Sequence, residues 1–186
     1  MEKPYFQNKT FTKIDVVTAA DYEDCRFDSC NFSNAALKGY HFSDCVFLQC
    51  NLTMANILGT AFREVLFQHC KLLGVHFSDV NAFGLAMHFE HCVLNLCSFY
   101  KLKLKSTKFI GCSLRETDFT ETDLTDAVFA DCDLTKAVFD QTILSGADLR
   151  SAHHFSINPT TNKLKGAKFS STGLSGLVNQ LGIIIE

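Results

Sequence analysis

Residues 25–54 divide into fives: Cys25-Arg26-Phe27-Asp28-Ser29, Cys30-Asn31-Phe32-Ser33-Asn34, Ala35-Ala36-Leu37-Lys38-Gly39, Tyr40-His41-Phe42-Ser43-Asp44, Cys45-Val46-Phe47-Leu48-Gln49 and Cys50-Asn51-Leu52-Thr53-Met54. Each unit has a large apolar residue at its centre, usually a small residue two places earlier, and mostly polar residues elsewhere. Continued outward, the frame gives centres from Tyr22 through Phe62, Phe67, Leu72 and Phe77 to Ala82. A second run follows from Phe89, Leu94, Phe99 and Leu104 to Leu149. A short tandem repeat therefore accounts for nearly the whole chain, and it decides the architecture before any local propensity is weighed.

Positions five apart on an α-helix differ by about 140° and wander around its surface, so the pattern excludes a helix. In a straight strand, successive centres would fall on opposite faces, so it excludes a flat sheet. The chain that points every fifth side chain inward bends once per repeat and coils around an axis made of those side chains. The cysteines set the length of the coil. Cys30, Cys50, Cys70, Cys92, Cys112 and Cys132 are spaced 20, 20, 22, 20 and 20, so four repeats make one turn and one coil carries two extra residues. In that register Phe27, Phe47, Phe67, Phe89, Phe109, Phe129 and Leu149 form one column, and Phe32, Leu52, Leu72, Leu94, Leu114 and Leu134 another. Like residues stacked at the strand spacing of about 4.8 Å describe a parallel β-solenoid. The insertion falls within residues 83–88 and reads as a bulge at one corner.

Of the 186 residues 47% are hydrophobic, enough for a continuous core without staples, and the 18 phenylalanines against no tryptophan show that one ring shape is selected. The formal charge of −3 argues against a nucleic-acid binder held by cationic surface, so no direct nucleic-acid contact is expected. No apolar run is long enough to span a membrane, and Met1-Glu2-Lys3-Pro4-Tyr5 has no apolar signal core, so a cytoplasmic location is expected.

Gly146-Ala147-Asp148-Leu149-Arg150, Thr122-Asp123-Leu124-Thr125-Asp126 and Cys132-Asp133-Leu134-Thr135-Lys136 resemble the unit of the pentapeptide repeat proteins, Ala-(Asp/Asn)-Leu-X-X with Leu or Phe central. The resemblance covers residues 20 to 174 and implies a right-handed, four-sided parallel β-helix. Tyr40, Val65, Val75 and Leu102 are larger than usual at the small position and are expected to change the local coil width. Ala82-Phe83-Gly84-Leu85 with His91-Cys92, and Leu177-Val178-Asn179-Gln180-Leu181-Gly182-Ile183, are similar to segments of the quinolone-resistance (Qnr/MfpA-like) subgroup. That subgroup consists of dimeric rods that imitate duplex DNA and bind DNA gyrase and topoisomerase IV. Its two long loops are absent from this chain. The resemblance implies a non-catalytic, protein-binding rod with a type II topoisomerase as partner. The fold alone also allows a scaffold protein with an unrelated partner.

The chain reads as three parts. Residues 1–20, with Phe6, Phe11 and Val16 five apart in another register, form an N-terminal cap or partial coil. Residues 21–174 form the β-helix, with an irregular coil at 153–165 where the centres degrade to His154, Pro159 and Leu164. Residues 175–186 form a short C-terminal helix and apolar tail, because Leu174, Leu177, Val178 and Leu181 follow helical spacing and Gly182 is placed to cap it. The stripe Leu174, Leu177, Val178 and Leu181, with Ile183, Ile184 and Ile185, supplies more apolar surface than a cap needs and is the expected homodimer interface.

All nine cysteines fall at the inward small position, where a free thiol packs as a small hydrophobe. Stacked columns do not supply a zinc tetrahedron, so neither metal nor cofactor is expected. His41, His69, His76, His88 and His91 fall at outward positions, with His69 and His91 one coil apart beside the insertion. No catalytic triad spacing or phosphate-binding glycine loop is present, and a filled solenoid offers no deep pocket, so no enzyme activity is expected. Charge is the feature that could carry binding. Glu116 to Asp140 holds eight acids, among them Glu116, Asp118, Glu121, Asp123, Asp126, Asp131 and Asp133, against Lys136 alone, while Lys101, Lys103, Lys105, Lys108 and Arg115 precede it with no acid between. These seven acids are the candidate partner-binding residues. They form a belt around one coil beside a basic belt, and pairs such as Glu116 with Lys136 are expected between coils.

Overall fold

The computed structural model describes residues 3–183. Its strands are β1 Tyr5–Gln7, β2 Thr10–Thr12, β3 Asp21–Glu23, β4 Arg26–Asp28, β5 His41–Ser43, β6 Val46–Leu48, β7 Ala61–Arg63, β8 Val65–Gln68, β9 Met87–Glu90, β10 Lys108–Ile110 and β11 Val128–Ala130. They form two all-parallel sheets: one in the order β1-β3-β5-β7, the other in the order β2-β4-β6-β8-β9-β10-β11. Two sides of the solenoid are these sheets. The other two carry single parallel bridges, such as Asn31↔Asn51↔Lys71↔Val93 and His76↔Ser98↔Asp118. Phe27 pairs with Phe47, and Phe109 with Phe129, at the expected coil length of twenty residues. Phe67 pairs with Phe89 across the two-residue insertion.

Most repeats are turned by a residue with positive φ two places after the centre. Most are not glycine: Asp24, Asp44, Met54, Leu96 and Glu116 have φ between 49° and 60°. Asp and Asn one place before the centre complete the turn from the other side. The Asn51 side-chain oxygen accepts from the Thr53 N–H at 3.1 Å, and that of Asp123 from the Thr125 N–H at 3.1 Å. This is the physical reason for Asp or Asn in the repeat's second place: a short side chain satisfies the backbone of its own turn.

The core consists of stacked rings. In the second sheet's column, neighbouring rings lie 4.7–5.3 Å apart from Phe11 to Phe129, nearly parallel. A second aromatic column meets it edge-on, and its position changes along the rod. Up to Phe62 it lies on the first sheet, as Tyr22, Phe42 and Phe62. From Phe77, just before the insertion, the column is on the side opposite the second sheet, as Phe77, Phe99, Phe119 and Phe139. Leu104 and Leu124 occupy the vacated side, so the coils beyond the insertion keep two aromatic sides, as in Phe89 with Phe99 and Phe109 with Phe119.

The small position has a polar role as well. Its side chain donates to the carbonyl of a centre residue one coil earlier: Cys50 Sγ to Phe27 O at 3.3 Å, Thr117 Oγ1 to Leu94 O at 2.9 Å, and Thr142 Oγ1 to Phe119 O at 2.8 Å. All nine cysteines are buried and free. Burial pushes the thiols of Cys45 and Cys97 up to about 12.

Three local readings are corrected. Ala82 is not a core centre but lies exposed, and Leu85 packs against the core in that region instead. His154 turns outward with φ 58°, and Phe155 takes the inward place, which is how the irregular coil keeps an apolar filling. In the N-terminal segment Phe6 pairs with Tyr22 and Phe11 with Phe27, sixteen residues apart, and Val16 is 77% exposed while Ile14 and Val17 pack inward. Tyr40 fits by leaning along the rings of Tyr22 and Phe42 and donating its hydroxyl to Val17 O at 2.9 Å.

Candidate partner-binding surface

The seven candidate acids separate into two kinds. Glu116, Glu121, Asp126 and Asp131 occupy positive-φ corners. Asp118, Asp123 and Asp133 precede a centre and serve their own turns, accepting from the N–H groups of Thr120, Thr125 and Thr135 at 2.9–3.1 Å. The basic coil claims several of them: Lys101 lies 3.5 Å from Glu121, Lys105 3.4 Å from Asp123, and Arg115 3.4 Å from Asp133. These are the inter-coil pairs that form, rather than the expected Glu116–Lys136 pair. Partial burial works against the charged form of Asp123 and Asp133. The Thr125 and Thr135 hydrogen bonds, with Lys105 for one and His154 and Arg115 for the other, outweigh it and hold both below the usual carboxylate range. Among the described residues Glu116, Asp126 and Asp131 have no ion-pair partner, and they sit on three different corners. No flat partner can touch all seven, because the belt encircles the rod.

A different acidic feature runs along the rod. Asp24, Asp44 and Glu64 occupy the same corner, between the two sheets, in three successive coils, with φ of 49°, 52° and 49°. Glu23 and Arg26 flank the row on the adjoining strands, the former accepting from the Tyr5 hydroxyl at 2.5 Å and the latter turned to Asp28 at 3.7 Å. The row was missed because the charge was summed along the sequence. A stride of twenty finds it, at 24, 44 and 64. One coil beyond Glu64 the corner becomes Gly84, in the insertion. There Phe83 is 78% exposed, with the Arg63 guanidinium 5.8 Å from its ring centroid. His69 and His91 stack on another corner at 5.0 Å and 11°. Among the described residues no group of three or more His, Cys, Asp or Glu side chains is placed to hold a metal ion, and no helix is long and apolar enough to cross a membrane.

At the C-terminal end the helical run is broken: a 3₁₀ turn Ser171–Gly173, α1 Ser175–Val178, and a 3₁₀ turn Asn179–Leu181 capped by Gly182 at φ 64°. It docks through a glycine. Gly176 is buried, and a Cβ there would stand 2.4 Å from Phe155 O and 2.6 Å from its ring. Of the expected dimer residues, Leu177 and Val178 are half-buried, whereas Leu174, Leu181 and Ile183 are 52%, 69% and 57% exposed. Ile184 and Ile185 lie outside the described residues.

Tandem fives, four-sided coils and stacked rings define a structural class, the β-solenoid of pentapeptide repeats. The chain belongs to the pentapeptide repeat family: the family model for a pentapeptide repeat region matches residues 20–87 and 85–169. Among solved structures it is similar to QnrB1, a plasmid-mediated fluoroquinolone resistance protein. One trypsin-treated variant is 22% identical over 100% of this chain and 95% of that one, with a TM-score of 0.59. Another is 20% identical over 99% and 98%, with a TM-score of 0.51. Identity at this level shows a common fold. Comparison with curated proteins gives no match.

Proposed function

We propose that this chain is a non-catalytic rod that engages the cationic DNA-binding surface of a type II topoisomerase, as a mimic of the duplex backbone. The axial row Asp24, Asp44, Glu64 carries the reading. Duplex DNA presents charge at regular intervals along its axis, and three carboxylates on one corner, about one strand spacing apart, do the same on a shorter scale. In water each neighbouring pair repels by about 1 kcal/mol, which an opposing cationic groove relieves. The belt Glu116, Asp118, Glu121, Asp123, Asp126, Asp131 and Asp133 contributes through its unpaired corner members. The likeness to QnrB1 supports the same reading. The proposal extends to a cytoplasmic homodimer joined through Leu174, Leu177, Val178, Leu181 and the isoleucines that follow, since Leu174, Leu181 and Ile183 are exposed together at that end.

A second reading, a scaffold for an unrelated protein partner, is favoured by the exposed Met54, Leu73, Val93 and Leu96 on another part of the surface. A gyrase supercoiling assay with a fluoroquinolone separates the two. The first reading expects the protein to restore supercoiling or, at higher concentration, to inhibit it, and the Asp24→Asn/Asp44→Asn/Glu64→Gln variant to lose at least tenfold in potency. No effect of the wild-type protein at micromolar concentration would leave the scaffold reading standing.

A further inference from the structure

The C-terminal helical run docks through buried Gly176 and half-buried Leu177. Leu174 and Leu181 face solvent, while Ser175 and Asn179 line a cleft of about 470 Å³ between the run and the last regular coil. Opposite them stand Arg150, His153 and His154, with Ser170 at one side. Two glycines, Gly173 and Gly176, let the run approach Phe155 closely enough to form the floor.

The wall is made of donors. No Asp or Glu lines the cleft. Asp148 and Asp133 stand behind it, each holding a side chain in place: Asp148 takes Arg150 Nε at 2.9 Å and Nη2 at 2.7 Å, and Asp133 lies 3.2 Å from His154 Nδ1. That leaves Arg150 Nη1 and His154 Nε2 unengaged by these pairs. Among the described residues the His153 ring has no hydrogen-bond partner, and it lies 6.2 Å from the ring of His154. Lys168 adds positive potential beside Asp148. A guanidinium and two imidazoles on one wall, facing a hydroxyl and an amide on the other, make an oxyanion-binding arrangement with room for more than the anion itself.

We propose that this cleft binds a small phosphate monoester, the phosphoryl group against Arg150, His153 and His154, and the hydroxyl-bearing remainder against Ser175 and Asn179. The volume is that of a small-molecule site rather than a single-ion site. The assignment is independent of any topoisomerase partner, because the cleft lies far along the chain from the Asp24–Asp44–Glu64 row and uses the side of the helical run away from Leu174 and Leu181.

Isothermal titration of the full chain with glycerol 3-phosphate, inorganic phosphate and glycerol tests it. Saturable binding is expected for the first, at least fivefold weaker binding for the second, and none for glycerol. Arg150→Gln and His153→Gln, both at exposed side chains, should each weaken glycerol 3-phosphate at least tenfold with unchanged melting in its absence. Asn179→Leu should weaken the ester and leave inorganic phosphate unaffected. No binding of the ester at 10 mM, equal affinity for ester and inorganic phosphate, or undiminished binding in the Arg150 and His153 variants would each overturn the proposal.

Discussion

Phe109→Ala removes a ring from the middle of the rod. Phe109 is fully buried, stacked on Phe89 at 5.3 Å and Phe129 at 5.0 Å, and met edge-on by Phe99 and Phe119 at 5.9 Å each. Truncating a buried phenylalanine costs about 3–5 kcal/mol, and the loss of favourable aromatic pairs places this site near the top of that range, at about 5 kcal/mol. Phe139 ends its column: it stacks only on Phe119, at 5.2 Å, and meets Phe129 at 6.4 Å, so Phe139→Ala should cost about 3 kcal/mol. Phe109→Leu should cost only about 1–2 kcal/mol, because leucine fills the same column at Leu149. Urea titration followed by far-UV circular dichroism reads all three. The slope shows whether the coils still unfold together, since repeat arrays can lose cooperativity when an inner coil is weakened. If Phe109→Ala costs less than about 2 kcal/mol, or no more than Phe139→Ala, the stacked column is not what holds the coils in register.

Under native, non-reducing conditions the nine thiols should react slowly with a thiol reagent and completely after denaturation, because burial holds them protonated and out of reach; rapid native labelling of most of them contradicts the inward register. The carboxyls of Asp123 and Asp133 are depressed, so their contribution to stability is full above the unfolded carboxylate value of about 4 and is lost as pH falls through the lower folded values. Asp133→Asn should therefore lower Tm at pH 7 and approach wild type near pH 2, and a pH-independent difference refutes the linkage. Gly176→Ala should cost about 1–3 kcal/mol and detach the helical run, read as loss of amide protection there, because its Cβ meets Phe155 backbone rather than a movable side-chain tip; unchanged protection refutes that close approach.

The period of five was sufficient to read the solenoid, because each centre is buried by the same geometric rule whatever its neighbours are. What the period could not show is where a repeat departs from the rule. Ala82 has the right spacing but too little side chain to reach the axis, and Leu85, out of frame by three, fills the space. His154 has the spacing but is polar, so a positive φ turns it out and admits Phe155. The switch of the second aromatic column at Phe77, just before the insertion, is present in the sequence as letters. Its meaning depends on which sides of the coil face each other, which only the closed cross-section shows.

The same separation explains why the acidic belt was legible and the acidic row was not. Acids close in sequence occupy successive sides of one coil, so local charge density finds belts, and belts pair with the coil next to them, as Lys105 does with Asp123. A surface that faces one partner must be built from residues one coil apart, and those are twenty positions distant in the chain. Corners are the places where such a row can be written freely. Their side chains leave the rod at a positive φ, touch no core atom, and need only tolerate the left-handed conformation, which Asp does better than most residues. Asp24, Asp44 and Glu64 therefore have no packing reason to be acidic, whereas Asp123 and Asp133 have two structural reasons each, an Asx turn and an inter-coil ion pair. Charge that the fold does not use is the charge available to a partner, and by that test the corner row outranks the belt.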